Sequence, residues 1–185
     1  MEVVKTKELF RKRCHKLLKK AKKHSYIKDK KINHYLTKLI NELNAKEIML
    51  YIPLANEADI NPLILHLRQQ KCNIWVPFME GKSFRLVKYR YPLRIKKYGI
   101  KEPKNSYKFR KKQIDLAIVP IIGMDTTKRR IGFGKGMYDR FFEKEIKNIK
   151  KVIFVARDLC YSQDIVTNHY DVKGDMIVTS QGVSF

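Results

Sequence analysis

The segment that decides the fold is DLAIVPIIGMDTTKRRIGFGKGMYDRFF, residues 115–142. It begins with DLAIVP (115–120), a short run that is apolar on both faces, as a central strand of a parallel sheet is. A glycine-rich loop follows, and a helical pattern of apolar residues begins after it. Ligands of open α/β sheets bind beyond the carboxyl ends of the strands. The segment therefore predicts a parallel sheet with a binding site in the loop that leaves a central strand.

The rest of the chain alternates helical and strand patterns. Helices are predicted at 5–24, at 28–43, after Asn61 as the cap with Pro62 in the first helical position, and from the glycine loop to about 148. Strands are predicted at 47–52, 73–77, 84–89, 115–120, 151–156 and 175–180, the last closing the sheet. This order indicates one α/β domain over residues 1–185, with three layers: an open, largely parallel sheet and helices on both faces. Residues 90–113, rich in Lys, Tyr and Pro, predict a long surface loop.

Composition narrows the class of protein. The chain of 185 residues carries 41 Lys and Arg against 18 acidic residues, a net charge of +23. Such an excess suits an anionic partner, or it reflects a lysine bias spread over solvated faces. Apolar runs are too short to span a bilayer, and the first residues lack the apolar core of a signal peptide, so a cytoplasmic protein without a membrane partner is expected. The three cysteines, Cys14, Cys72 and Cys160, are widely spaced and predict reduced thiols rather than a disulfide framework or a zinc site.

The glycine loop matches neither standard phosphate motif. A Walker A loop needs Ser or Thr after its Gly-Lys pair, but Gly136 follows Lys135. A dinucleotide fingerprint, G-x-G-x-x-G, needs glycine at position 137 or 139, where methionine and aspartate stand.

The chemistry of the loop nevertheless favours phosphate. Backbone N–H groups of glycines and of the following helix N-terminus can approach an anion closely, and the side chains of Arg129, Arg130 and Lys135 add positive charge. A purely structural turn is the alternative. Asp139, in the first helical turn, suits either a helix-dipole partner or a Mg²⁺ ligand beside a polyphosphate.

The segment VPIIGMDTTKRRIGFGKGMYDRFF resembles the signature of the 5-formyltetrahydrofolate cyclo-ligase family, also called methenyltetrahydrofolate synthetase. KELFR (7–11), YIPLANEADINPLI (51–64), YGIKEP (98–103) and HYDVKGDMIVT (169–179) match that family in order, so the resemblance covers nearly the whole chain. It implies an ATP- and Mg²⁺-dependent ring closure of 5-formyltetrahydrofolate to 5,10-methenyltetrahydrofolate, with release of ADP and phosphate. The formyl oxygen is phosphorylated, N10 attacks the carbon, and phosphate leaves.

The resemblance also implies roles for residues. Lys135 and Arg130 would be catalytic, and Asp139 and Asp171 would bind Mg²⁺. ATP would contact Lys7, Arg11, Arg130, Ile131, Gly132, Phe133, Gly134, Lys135, Gly136, Met137 and Tyr138. The folate, with or without a polyglutamate tail, would contact Ile52, Glu57, Arg11, Phe133, Gly134, Lys135, Gly136 and Met137. A monomer is expected.

The chain departs from the family pattern at three places. Met137 stands where the family often has tyrosine, Phe10 stands where it usually has leucine, and the spacing of His169 and Asp171 makes the second metal ligand the least secure transfer. Without the resemblance, Lys7 and Arg11 are simply solvated charges on a basic helix. The sequence leaves two other functions open: a basic nucleic-acid-binding module, and a sugar-phosphate isomerase or CoA-transferase-like enzyme on a related sheet.

Overall fold

A computed structural model describes residues 2–96, 99–103 and 113–184. Most strands are short, and helices lie between most of those that pair in parallel, although the described segment 156–175 joins the parallel strands at 152–155 and 176–179 without a helix. The helices are α1 (Glu2–Ala21), α2 (Ser25–Glu42), α3 (Asn61–Gln69) and α4 (Met137–Glu145), and a 3-10 turn at Ile146–Asn148 follows the last of them. The strands are β1 (Glu47–Met49), β2 (Asn73–Glu80), β3 (Ser83–Lys88), β4 (Leu93–Ile95), β5 (Lys101–Pro103), β6 (Leu116–Pro120), β7 (Gly123–Asp125), β8 (Arg130–Ile131), β9 (Val152–Val155), β10 (Tyr161–Ser162), β11 (Met176–Thr179) and β12 (Gly182–Ser184).

Seven strands form the main sheet in the order β12-β11-β9-β6-β1-β2-β3. The five inner strands run parallel, and only the edge strands β12 and β3 are antiparallel to their neighbours. Strand β6 lies at the centre, paired with β1 on one side and β9 on the other. The predicted fold class, an open and largely parallel sheet within three layers, is therefore confirmed.

Both faces of the sheet are covered because its central strands are apolar on both faces. On one face Leu116 and Ile118 pack in a core with α2 and α3. On the other face Ala117 and Val119 pack in a core to which α4 contributes Phe141 and Phe142. Alternate residues of one strand point to opposite faces, so a strand without polar positions requires a helix layer on each side.

Several predicted boundaries were wrong. The sheet does not close at 175–180, because β12 adds an antiparallel edge strand after it. Asn61 is the first residue of α3 rather than its cap, which is Ile60. The strand predicted at 47–52 stops at Met49, and the helix predicted to reach 148 ends at Glu145 before the 3-10 turn.

The predicted loop at 90–113 is structured over much of its described part. Strands β4 and β5 pair antiparallel there and form a small ribbon of their own. Residues 97–98 and 104–112 lie outside the described residues. The expectation of one long surface loop is therefore wrong for 93–95 and 101–103.

Helix α1 packs against a second, three-stranded sheet of order β10-β7-β8. Phe10 and Cys14 of the helix lie in a small buried core with Ile122, Ile131 and Cys160. Cys14 and Cys160 form a disulfide there, so the prediction that these two thiols are reduced was wrong. Cys72 is a free thiol. Sequence spacing did not reveal the pair, because 146 positions separate the two cysteines and only the packing of α1 brings them together.

Candidate active site

One cavity of about 1100 Å³ opens beyond the carboxyl ends of the central strands. Its walls come from α1, the segment after β1, the β2–β3 hairpin, β5, the glycine loop and the segment before β11. Nearly all the site residues predicted from the sequence lie along it. These are Lys7, Arg11, Ile52, Glu57, Arg130, Gly132, Phe133, Gly134, Lys135, Gly136, Met137, Tyr138, Asp139 and Asp171.

Ile131 is the exception among the predicted residues. Its side chain is fully buried beside Cys14 and Phe10 rather than in the cavity wall. Its carbonyl accepts a hydrogen bond from the N–H of Ile122, the residue before β7, and this bond holds β8 beside β7. The Ile131 side chain thus packs under the start of the glycine loop, on the side away from the cavity.

The glycine loop ends at Gly136, which caps α4 in a left-handed conformation with φ of 60°. Residues with a Cβ rarely adopt this φ, so glycine allows the chain to turn directly into the helix. The Arg140 N–H then donates to the Gly136 carbonyl at 3.1 Å and starts the helical ladder. This turn places the free N–H groups of the α4 N-terminus at the cavity, a favourable arrangement for an anion.

Arg130 is the most enclosed cation of the site, with 5% of its surface exposed. Its guanidinium carbon lies 4.8 Å from the centre of the Tyr138 ring, and Nη1 lies 3.5 Å from Asp139 Oδ1. Its Nε has no hydrogen-bond partner among the residues that the structure describes. A Cβ on Gly132 would fall 2.2 Å from Nη2, so only glycine at that position leaves room for the guanidinium. A buried guanidinium with an unpaired donor fits an anionic ligand.

Helix α1 supplies two more cations to the same wall. The Lys7 ammonium lies 2.5 Å from Asp171 Oδ2 and 5.5 Å from the centre of the Tyr170 ring. Arg11 Nε donates to the Gly132 carbonyl at 3.0 Å, so α1 holds the start of the glycine loop. In the sequence, Lys7 and Arg11 look like solvated charges on a basic helix, but the packing of α1 directs both side chains toward the cavity.

Asp139 and Asp171 approach each other through the backbone of the segment before β11. The Val172 N–H donates to Asp139 Oδ1 at 3.4 Å, and the Asn168 N–H donates to Asp171 Oδ2 at 2.7 Å. Over residues 2–96, 99–103 and 113–184, no group of three or more His, Cys, Asp or Glu side chains could hold a metal. Two carboxylates fit the Mg²⁺ pattern, because this ion is commonly held by one or two carboxylates together with substrate phosphates.

Glu57 also lines the cavity, in the segment after β1. Its Oε2 accepts a hydrogen bond from the Leu54 N–H at 2.9 Å. Burial raises the pKa of Glu57 to about 7, against the lowering effects of that hydrogen bond and of Arg130 and Arg157. Burial also raises the pKa of Tyr51 and that of Tyr138, and the Glu57 charge adds to both shifts. A carboxylate that titrates near neutrality in a cavity is typical of a functional site.

Several cavity residues were missed by the sequence reasoning. In the sequence, Arg140 stands out only as a position in the predicted helix, and Lys82 only as a turn residue after Gly81. Among the others are Tyr51, Lys96, Lys101, Glu102, Asn168 and Tyr170. No local pattern marks them, because their place in the wall depends on how the hairpin, the β4–β5 ribbon and the segment before β11 pack around the glycine loop.

Comparison with known proteins agrees with this site. The model of the 5-formyltetrahydrofolate cyclo-ligase family matches residues 3–180. The chain belongs to this family. It is therefore an enzyme, and the glycine loop, α1 and the Glu57 segment are all inside the matched region. The resemblance inferred from the glycine-loop signature is confirmed.

Curated members of the cyclo-ligase family resemble the chain over most of its length. A 5-formyltetrahydrofolate cyclo-ligase of Haemophilus influenzae is 26% identical over 78% of this chain and 81% of its own. One of Mycoplasma genitalium is 28% identical over 88% of this chain and 92% of its own. The similarity therefore extends well beyond the glycine loop.

Solved structures of this class share the fold. The NMR structure of Aquifex aeolicus 5,10-methenyltetrahydrofolate synthetase has a TM-score of 0.76 and 26% identity, covering 96% of this chain and 91% of its own. A 5,10-methenyltetrahydrofolate synthetase from Mycoplasma pneumoniae has a TM-score of 0.72 at 24% identity and shows the same fold, covering 93% of this chain and 97% of its own.

Proposed function

We propose that this cyclo-ligase family member converts 5-formyltetrahydrofolate to 5,10-methenyltetrahydrofolate in an ATP- and Mg²⁺-dependent reaction that releases ADP and phosphate. One observation carries the proposal: one cavity joins the glycine loop, two cations of α1 and the partly buried carboxyl group of Glu57. A phosphate donor and a pterin require these two kinds of surface side by side. The volume of about 1100 Å³ is at the upper end of ordinary ligand sites, as two substrates would need.

The phosphate half of the cavity would bind ATP. Lys7, Arg11 and Arg130 surround the glycine loop and would neutralise the triphosphate. The backbone of residues 130–138 would follow it, because glycines let N–H groups approach phosphate oxygens closely. Asp139 and Asp171 would hold Mg²⁺ together with phosphate oxygens, and the ion when bound would offset the charge on the phosphates.

The Glu57 half would bind the folate. An ionised carboxylate accepts paired hydrogen bonds from an aminopyrimidine edge, and Glu57 is one of the carboxylates that line the cavity. Ile52 would line the pterin pocket. The formyl end would then reach toward Arg11, Phe133, Gly134, Lys135, Gly136 and Met137, where the two halves of the cavity meet.

The chemistry follows from this placement. A formamide carbonyl is a poor electrophile, since its nitrogen donates electrons into it. The formyl oxygen attacks the γ-phosphorus of ATP, the bond to ADP breaks, and ADP leaves. N10 then attacks the activated carbon and loses its proton, and the C–O bond breaks to release phosphate. Lys135 and Arg130 would stabilise the negative charge of the transferring phosphoryl group, while the loop holds the reacting atoms together.

The other two functions left open by the sequence have less support. A nucleic-acid-binding module predicts no recess at the glycine loop, yet the loop lines a deep cavity. An isomerase or CoA-transferase-like enzyme is disfavoured because the family model that matches residues 3–180 is that of the cyclo-ligases. No helix in the described part of the chain is long and apolar enough to cross a membrane. We further expect a cytoplasmic monomer that accepts folates with or without a polyglutamate tail.

A coupled measurement tests the function. The protein is mixed with 5-formyltetrahydrofolate and Mg-ATP, and the absorbance of the methenyl product is followed beside the release of ADP and phosphate. We expect one ADP and one phosphate for each product, and no product when ATP or Mg²⁺ is omitted. Product formation without ATP consumption, or ATP hydrolysis without product, would overturn the proposal.

A further inference from the structure

Arg140 connects two backbone segments that line the cavity, the glycine loop and the turn of the β2–β3 hairpin. It lies in the first half of α4, and its Nη2 donates to the Lys135 carbonyl of the glycine loop at 2.5 Å. Its Nε donates at 2.8 Å to the carbonyl of Lys82, in the turn of the β2–β3 hairpin, and Nη2 also contacts that carbonyl. One guanidinium thus bridges two main-chain carbonyls that are 53 positions apart in the sequence.

The β2–β3 hairpin is itself held on α4 by contacts that do not involve Arg140. The Ser83 hydroxyl donates to the Met137 carbonyl at 3.3 Å, next to the end of the glycine loop. The Phe84 ring stacks on the ring of Phe141 with centres 4.5 Å apart and meets the edge of Tyr138 at 5.1 Å. The hairpin is therefore packed on α4 independently of Arg140, and the guanidinium adds the link from the hairpin to the loop itself.

The bridge fixes the peptide group at the end of the loop. A trans peptide is planar, so the Lys135 carbonyl and the Gly136 N–H point in opposite directions. Once that carbonyl is held by the guanidinium, the orientation of the Gly136 N–H is set as well. A Cβ on Gly136 would lie 2.9 Å from Arg140 Nη1, which shows how closely the side chain follows the loop.

We infer that Arg140 is a positioning residue that holds the glycine loop in its anion-binding form by tying the Lys135 carbonyl to the β2–β3 turn. The inference deepens the proposed function and rests on it for its effect on turnover. The planar fork of arginine is required, because it directs donors to two carbonyls at once, whereas a lysine ammonium is a point charge on a flexible stem. A preorganised loop accelerates phosphoryl transfer without first having to be ordered by the substrate.

The test compares Arg140→Ala and Arg140→Lys with Lys144→Ala, an exposed lysine in the last turn of the same helix. The first readout is limited trypsin digestion without ligands, with cleavage after the exposed Lys135 measured by mass spectrometry. We expect Arg140→Ala to raise the rate of this cleavage at least tenfold, Arg140→Lys to lie between, and Lys144→Ala to match the wild type. The denaturant midpoint should change little in all three variants.

The second readout is the split between kcat and KM for ATP. A positioning role lowers kcat at least tenfold in Arg140→Ala while KM for ATP changes less than threefold, with partial recovery in Arg140→Lys. A rise in KM with unchanged cleavage at Lys135 would make Arg140 a direct phosphate ligand and overturn the inference. A large fall in the denaturant midpoint would make its role a global structural one, with the same consequence. If the wild type forms no methenyl product, the proposed function fails, but the cleavage result still decides whether Arg140 orders the loop.

Discussion

The ammonium of Lys7 lies 2.5 Å from the carboxylate of Asp171, although 164 positions separate the two residues in the chain. Both side chains are largely enclosed, with 12% and 5% of their surfaces exposed. The pair ties α1 to the segment before β11 and places a cation beside Asp171 in the cavity wall. Helix α1 is therefore part of the cavity wall and not an outlying basic helix.

The two partners should not be equally important for stability. In Lys7→Met the Asp171 carboxylate keeps its burial but loses its ammonium, whereas in Asp171→Asn the long Lys7 side chain can move its charge to water. The carboxylate keeps the hydrogen bond from the Asn168 N–H, but a buried polar group that loses a partner costs about 1–3 kcal/mol, so we expect Lys7→Met to lose an amount in this range and Asp171→Asn clearly less. Urea unfolding of the two variants measures the difference. Equal losses would contradict this account of the pair.

Asp139→Asn should keep the fold and lose most Mg-ATP-dependent activity. Asp139 is the acidic residue of the first turn of α4, and an asparagine oxygen can still accept from Arg130 Nη1 and the Val172 N–H, so the main loss is that of a helix-dipole partner, about 0.3–1 kcal/mol. That is a small part of a domain stability of about 5–15 kcal/mol. Losing a metal ligand reduces turnover far more. Initial rates over a series of Mg²⁺ concentrations check this, and wild-type turnover in the variant would leave Asp139 as only a helix-end charge.

Glu57 should make folate binding dependent on pH. Its pKa of about 7 means that the carboxylate, the form that accepts two hydrogen bonds, becomes dominant only above neutrality. Binding should therefore weaken by up to about tenfold for each pH unit below 7. Titration of folate binding between pH 5.5 and 8.5 measures the slope. Glu57→Gln should bind folate weakly at every pH while its ATP affinity stays unchanged, so equal loss of both affinities would indicate a structural role.

The raised pKa of Glu57 also makes the stability of the protein depend on pH. The folded pKa lies above the ordinary value of 4.5, so the folded state holds a proton that the unfolded state has lost between these values. The contribution of Glu57 to the free energy of unfolding is fully present below pH 4.5 and is lost as the pH rises through about 7. The free energy of unfolding of the wild type should therefore fall relative to that of Glu57→Gln over this window. A difference that is constant from pH 4.5 to 7 would contradict the raised pKa.

Only a minority of the basic residues should act on the substrates. Lys135 lies on the glycine loop in the cavity wall, whereas Lys19, Lys20, Lys22 and Lys23 are exposed at the end of α1 and in the turn after it. Surface charges beyond a Debye length of about 8 Å are mostly screened at physiological salt. Lys135→Ala should lower turnover by orders of magnitude, and joint neutralisation of the four lysines should leave it nearly unchanged. An equal loss in both at physiological salt would reopen the nucleic-acid alternative.

The disulfide predicts a simple count of thiols. Without reductant, denatured protein should react as one thiol for each chain, which is Cys72, and after reduction it should react as three. The Cys14→Ser/Cys160→Ser double variant should lose about 2–4 kcal/mol of stability relative to the oxidised wild type, as is typical for removal of a disulfide. Three reactive thiols before reduction would contradict the bond.

The amino-acid sequence predicts the fold class, an open and largely parallel sheet with helices on both faces. The apolar run at 115–120, followed by a glycine loop and a helical pattern, predicts a buried parallel strand and a ligand loop at its carboxyl end, because periodicity reports directly which faces are buried. The same loop carries the signature that identifies the family. Element boundaries were less certain, as at 47–52 and 175–180, since the last residues of an element depend on their neighbours in the sheet.

Tertiary structure alone decided how the parts of the cavity meet. The Lys7–Asp171 pair, the Cys14–Cys160 bond and the contact of Arg140 with Lys82 each join segments that no local pattern relates. The raised pKa of Glu57 likewise requires the surrounding walls, because burial is its main cause. Local sequence fixes which face of an element is apolar, but long-range packing fixes which charges are brought together and how far they are removed from water.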